Sequence, residues 1–379
     1  CILGRELPLF DGILDLFSKR LQNQKWPVAG TALIFFAFLD MFFQRWYLDT
    51  KTLGIQCILL LGAAILLGDE TKKRVSGFSG YLWIFFGVFT LVSELLYPKF
   101  PYLQGLYVFV ILFLATQLKN LVPVCRGLLL TLPVVVVANF MLGSVSADMP
   151  VIGLFTSSEE LAFYGMAIAV AGMYLLDTNA GKKKLTLEDA FAGIAIVAGA
   201  VFVRVSWENM LLAGLVLVAA VWVVLRRKKI FKGKMLVVGV ISVVVGAAFF
   251  FVVKMPGLYQ GLETTLKTAS VYVDRSIMRF GAFDSISLLG RCESVQYYCG
   301  ILQVMFEKGV ITTLFLVLAL AVSVYQSIRQ KNYKSIIIVL AFVIASLNWN
   351  VEVTGGNPLW LMAYVAIAHG LKTTNLGDR

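Results

Sequence analysis

Histidine is nearly absent from this chain, with His369 the single example in 379 residues. That residue falls in the last apolar run, where a packed or interfacial imidazole is expected rather than a catalyst. With no second histidine and no Cys or Asp/Glu cluster at ligand spacing, a zinc or di-metal site is not expected. No Gly-rich phosphate loop occurs, which argues against ATP hydrolysis, and neither a cofactor nor a metal is called for. Charged residues make up only 15% of the chain, and low-complexity stretches, soluble domains and repeats of 20 to 50 residues are missing. Cysteines are few, at five. Cys57 and Cys125 lie in apolar runs, where a small apolar role is the default. Cys292 and Cys299 share one polar segment, and no spacing rule demands that they pair. The chain opens on Cys1, which reads as the start of a fragment rather than as a lipoprotein cysteine, and no cleavable signal peptide is recognisable.

What the chain has in abundance is apolar sequence, at 59% of residues, with a mean hydropathy of +0.84. Those values lie outside the soluble range and predict an all-α polytopic membrane protein. About twelve transmembrane helices are expected, near 27–48, 53–68, 79–97, 101–118, 121–142, 159–176, 187–203, 207–225, 235–253, 298–326, 335–348 and 358–372. Basic residues crowd alternate connections: Lys72, Lys73 and Arg74; Lys119 and Arg126; Lys182, Lys183 and Lys184; the run Arg226 to Lys234; then Arg329, Lys331 and Lys334. By the positive-inside rule these face the cytoplasm, as do both termini. The net charge of +11 is therefore a topology signal and does not argue for nucleic acid binding.

On the outer side two connections differ from the rest. Residues 143–158 carry no Lys or Arg, and residues 254–297 form the one long extramembrane segment. Within it Leu258, Leu262, Leu266, Ala269, Val273, Ile277 and Phe280 recur at steps of three and four, predicting an amphipathic interfacial helix. Arg275 and Arg279 stack one turn apart on its other face. Together with Arg204 and Arg291 they form an outer set of arginines that opposes the topology rule. Arg204 is expected at a tight outer hairpin, either as a snorkelling anchor paired with Glu208 or as an anion contact. The planar guanidinium suits phosphate oxygens, so several facing one cavity would hold a diphosphate. Inside the spans, Asp40 and Glu94 are functional candidates by default; the alternative is that Asp40 pairs with Arg45 near the outer end of its span, and since Glu94 lies about a turn from the same interface, a proton relay is weakly supported.

The stretch "YCGILQVMFEKGVITTLFLVLAL" enters a span through a carboxylate and a lysine, and it resembles a segment of the O-antigen ligase and O-antigen polymerase superfamily. Leu302, Gln303, Glu307 and Gly309 fall on matching positions, whereas Tyr298 and Cys299 stand where the ligases carry His and Asn. "RVSWENMLLAG" and "GLFTSSEELAFYG" are similar to two further patterns of that superfamily, and Arg291 in "LLGRCESVQ" sits where an outer-loop arginine is common. The likeness covers about the second half of the chain.

The resemblance implies an enzyme of the bacterial cytoplasmic membrane that joins glycans carried on undecaprenyl diphosphate, outside that membrane. A histidine-dependent ligase mechanism does not fit Tyr298, so polymerisation of lipid-linked repeat units into a surface polysaccharide is the favoured expectation. Arg204 and Arg291 would stabilise the leaving diphosphate, with Arg275 and Arg279 as secondary contacts and Tyr298, Gln303 and Glu307 near the substrate. The base is left open among Glu160, Glu208 and Glu293. Glu307 would orient its neighbours where the outer segment re-enters the membrane, Gly309 would allow close helix approach, and Lys308 is either part of that step or a snorkelling lysine. A chain-length regulator and a flippase are the implied protein partners, besides membrane lipid. A ligase of the same superfamily, a flippase or a secondary transporter is the alternative, although the internal repeats and paired broken helices of many transporters are not seen.

Overall fold

A computed structural model of the protein describes residues 26–43, 51–68, 78–96, 104–142, 154–155, 158–179, 186–230, 287–289, 300–330, 332–348 and 357–371. Among the described residues almost all are helical and none lies in a strand. A helix satisfies its own backbone N–H and C=O groups, which is what hydrocarbon surroundings demand of a chain this apolar. The helices are α1 (Trp26–Phe43), α2 (Lys51–Leu67), α3 (Phe78–Leu96), α4 (Gln104–Gln117), α5 (Val122–Leu130), α6 (Leu132–Leu142), α7 (Ser158–Asn179), α8 (Leu187–Val205), α9 (Asn209–Ile230), α10 (Gly300–Lys308), α11 (Val310–Arg329), α12 (Tyr333–Asn348) and α13 (Pro358–Gly370).

Among the described residues three stretches are long and apolar enough to cross a membrane. They are Val122–Asn139, which runs from α5 into α6, then Ser158–Asn179 and Val310–Arg329. Each expected span overlaps a described helix except 235–253, which lies outside the described residues, as does the amphipathic helix expected over 258–280. Two expected runs are each divided. The 121–142 run breaks at Thr131, whose hydroxyl and amide both donate to the Leu128 carbonyl. Pro133 explains the break, since it lacks an N–H and its ring crowds the carbonyl four residues back. The 298–326 run divides at Gly309, whose φ of 92° is a conformation that side-chain-bearing residues rarely adopt.

Two helices form the centre. α7 and α13 are buried along almost their whole length, and α7 achieves this with an Ala- and Gly-rich sequence, AFYGMAIAVAGM, that admits neighbours closely. Around α7 pack α8, α5, α12 and α9; around α13 pack α4, α12 and α11, with α3 against α11 and α4, and α1 against α2 and α5. Large apolar side chains also point outward, among them Ile58, Val137, Val216, Val224 and Leu314. In water such a surface would drive association, and against lipid tails it is the stable arrangement.

Close approaches set the register. A Cβ on Gly165 would stand 2.6 Å from the Gly199 carbonyl oxygen, and one on Gly172 2.6 Å from that of Ala192, so α7 and α8 run antiparallel. Gly30 against Leu67 and Gly62 against Leu33 do the same for α1 and α2. The bundle thereby acquires two distinct ends. At one, Arg126 forms a forked ion pair with Glu188 at 2.6 and 3.1 Å, the Leu121 amide donates to the Tyr174 hydroxyl, Lys334 reaches Thr178, and the His369 ring meets the Lys119 carbonyl. At the other lie the start of α7, the turn between α8 and α9, and the junction of α3 and α4 with α10 and α11.

Gly199→Val forces α7 and α8 apart at their tightest point, so a lowered midpoint of thermal unfolding in detergent is expected. Ile194→Ala on the exposed face of α8 serves as the control and should leave the midpoint within error.

Candidate functional site

The Glu-Lys-Gly step turns inward. Lys308 is buried, with its side chain 2% exposed, and its Nζ lies 3.5 Å from Oε1 of a fully buried Glu94 at the end of α3. It is therefore no snorkelling lysine. The second carboxylate oxygen of Glu94 accepts the Gly105 amide at 3.1 Å, in the first turn of α4, where a helix presents unsatisfied N–H groups and partial positive charge. Gly105 permits this because its backbone lies against Leu91, with only 2.8 Å between a Cβ there and the Leu91 Cβ. One carboxylate thus ties α3 to α4 and to the α10–α11 junction.

Around that pair the same junction is closed by hydrogen bonds. Gln303 donates to Glu307 at 2.6 Å across one turn of α10, and the Ser93 hydroxyl donates to the Glu307 carbonyl. The Thr312 and Thr313 hydroxyls take up the carbonyls of Lys308 and Gly309. Ser287 and Leu288, from the long segment expected outside the membrane, accept the Val310 and Ile311 amides, so the start of α11 is capped by backbone from that segment.

A second cluster occupies the turn between α8 and α9, at the same end of the bundle. Ser206, Trp207 and Glu208 reverse the chain within three residues, and Trp207 sits at a φ of 63°, an uncommon conformation for a bulky residue. The Ser206 hydroxyl donates to the Val203 carbonyl, and the Leu212 amide to that of Glu208. Arg204 is exposed, and the expected ion pair between Arg204 and Glu208 does not form. Glu208 faces the start of α7 instead. Its carboxyl is half-buried in the connection between two helices, and burial, with Glu159 nearby, pushes it from 4.5 up to about 8. Glu160 is half-buried beside Glu159 on the first turn of α7.

Of the residues singled out from sequence, Glu208 and Glu160 come together through Glu159, Arg204 stands exposed on the same turn as Glu208, and Gln303 and Glu307 belong to the other cluster. Arg275, Arg279, Arg291, Glu293 and Tyr298 lie outside the described residues, as does Arg45. Gly309 serves as the left-handed hinge between α10 and α11, where close helix approach was expected of it. Lys308 is the residue whose role sequence reasoning missed, because pairing with a carboxylate 214 positions earlier leaves no local signal. The available signal was an acid in one span and a base opening another, each costly in hydrocarbon without a partner. No family model matches the chain, and no curated protein matches it either.

Two outcomes are expected. Lys308→Met strands the buried Glu94 carboxylate and should lower stability by about 3–5 kcal/mol, whereas Glu94→Gln with Lys308→Met keeps an acceptor for Gly105 and should recover most of the loss in a thermal-unfolding cycle. For Glu208 the folded protein retains a proton that the unfolded chain gives up between pH 4.5 and about 8. Its contribution is thus present below 4.5 and is lost as the pH rises through 8, so the unfolding midpoint should fall across that window more in wild type than in Glu208→Gln.

Proposed function

We propose that the protein polymerises oligosaccharide repeat units carried on undecaprenyl diphosphate, at the outer side of a bacterial cytoplasmic membrane in which both its termini face the cytoplasm. The observation that carries the reading is the α8–α9 turn. An exposed guanidinium, Arg204, shares that turn with a carboxyl that burial and a neighbouring acid place near 8. The motif resemblance to O-antigen polymerases falls on the same turn, on the start of α7 and on α10.

In the proposed reaction the acceptor sugar's hydroxyl oxygen attacks the anomeric carbon of the donor glycan. The carbon–oxygen bond to the carrier breaks, and undecaprenyl diphosphate leaves with the electron pair. Glu208, in its ionised form, takes the hydroxyl proton; a base whose value lies close to the working pH is well matched to that transfer. Arg204 meets the charge that builds on the departing diphosphate, with Arg291 as the second expected contact. The step needs neither a nucleotide nor an oxidant. Glu160 borders the acceptor side, and Gln303 and Glu307 hold the α10–α11 junction on which the outer segment is seated.

The test is chain-length analysis of surface polysaccharide in a deletion strain complemented with wild type, Arg204→Ala or Glu208→Gln, each checked for membrane expression. Arg204→Ala should cut polymerisation by roughly 10²–10³, leaving single repeat units on the carrier lipid. In membranes, the wild-type rate should rise with pH through about 8, and Glu208→Gln should remove that limb. Normal chains from both variants would take these residues out of the mechanism. Loss of all exported glycan would instead favour a flippase.

A further inference from the structure

A third polar cluster lies deeper in the bundle and belongs to neither group described above. Antiparallel packing of α1 on α2 sets Asp40 at the level of Gln56 and Cys57, and α2 packs in turn on α4, and α4 on α13. Those helices bring in Tyr107, one turn into α4, and Tyr364, near the middle of α13. Gln56, Tyr107 and Tyr364 are 0%, 3% and 1% exposed. Cys57, Tyr364 and Asp40 all lie within electrostatic reach of the Tyr107 hydroxyl, and Gln56 stands beside the Asp40 carboxyl. Yet the Asp40 Oδ2, both amide atoms of Gln56 and the hydroxyls of Tyr107 and Tyr364 have no hydrogen-bonding partner among the described residues. The walls are apolar and aromatic: Trp83, Phe86 and Trp360 meet Tyr364 edge-on, and Phe342 lies tilted against it.

Five orphaned polar atoms on four neighbouring side chains call for a ligand, since each enclosed group without a partner costs about 1–3 kcal/mol. We infer that Asp40, Gln56, Tyr107 and Tyr364 form a binding site for one alkali-metal cation, sodium or potassium. Four of the five orphaned atoms are oxygens, the hard donors that such ions take, and they come from four helices. Charge selects the valence. Among the described residues Asp40 is the one acid of the cluster, because Glu94 is already neutralised by Lys308. A monovalent ion leaves the site neutral, whereas a divalent ion would strand a positive charge in low-dielectric surroundings. Asp40 is only half-buried and stands one turn from the end of α1. The bound ion would clamp α1, α2, α4 and α13 together at the end of the bundle that carries the other two clusters.

The experiment uses the full chain in detergent, with thermal unfolding followed in sodium, potassium and choline chloride at one ionic strength, and radioactive sodium uptake measured beside it. Wild type should gain a saturable rise in midpoint with sodium or potassium over choline, and bind about one ion per chain. Asp40→Asn should lose both responses. Tyr364→Phe, which removes one oxygen and keeps the ring packing, should weaken apparent affinity several-fold, and it stands in if Asp40→Asn fails to fold. Equal midpoints in all three salts, or a cation response retained in the folded variants, would overturn the site. A midpoint that responds to pH alone would overturn it too, since a proton or water would then fill the cluster.

Discussion

A lysine and a glutamate buried together in a bundle of apolar helices impose a stringent condition on everything around them. Each charge alone would be heavily penalised out of water, and the attraction between them offsets that cost only while both are held at short range with their remaining hydrogen-bonding capacity used. Glu94 meets the condition by giving one oxygen to Lys308 and the other to the first turn of α4. From this requirement follow the tight α3–α4 contact at Gly105, the hinge at Gly309 that aims Lys308 inward, and the seating of Ser287 and Leu288 on α11.

Polar chemistry is concentrated towards that end of the molecule. The Glu94–Lys308 junction, the Arg204–Glu208 turn and the cluster of Asp40, Gln56 and the two tyrosines are contributed by seven helices and one connection. The opposite end is fastened by forked and capped contacts of a plainer kind, such as Arg126 with Glu188 and the reciprocal Thr186 and Asp189 cap of α8. Among the described residues the buried polar groups are thus gathered where the connection carrying Ser287 and Leu288 returns to the core.

Much of the architecture was legible along the chain, and for a simple reason: hydrophobic run length and the placement of Gly and Pro act locally. The helices from α1 to α13 fall where apolar runs predicted them, and the start of α8 carries its own capping signature. Arg204 stood out for a local reason as well, as a charge between two apolar runs. The division at Gly309 was not legible, because a glycine in an apolar run is compatible both with close helix packing and with a left-handed hinge, and only the neighbouring contacts choose between them.

Sequence alone determined that the chain is helical and apolar enough for a membrane, that its charge is unevenly distributed among its connections, and that arginines and carboxylates punctuate particular span ends. Each of these depends on residues within a turn or two of one another. Only the tertiary structure decided that Lys308 belongs with Glu94, that Glu208 faces Glu159 rather than Arg204, and that Asp40 shares a buried place with Tyr107 and Tyr364. Those pairings are settled by helix register, which small residues such as Gly165, Gly199, Gly30 and Gly62 set to within a contact distance, and register is a property of two surfaces that no single stretch of sequence contains.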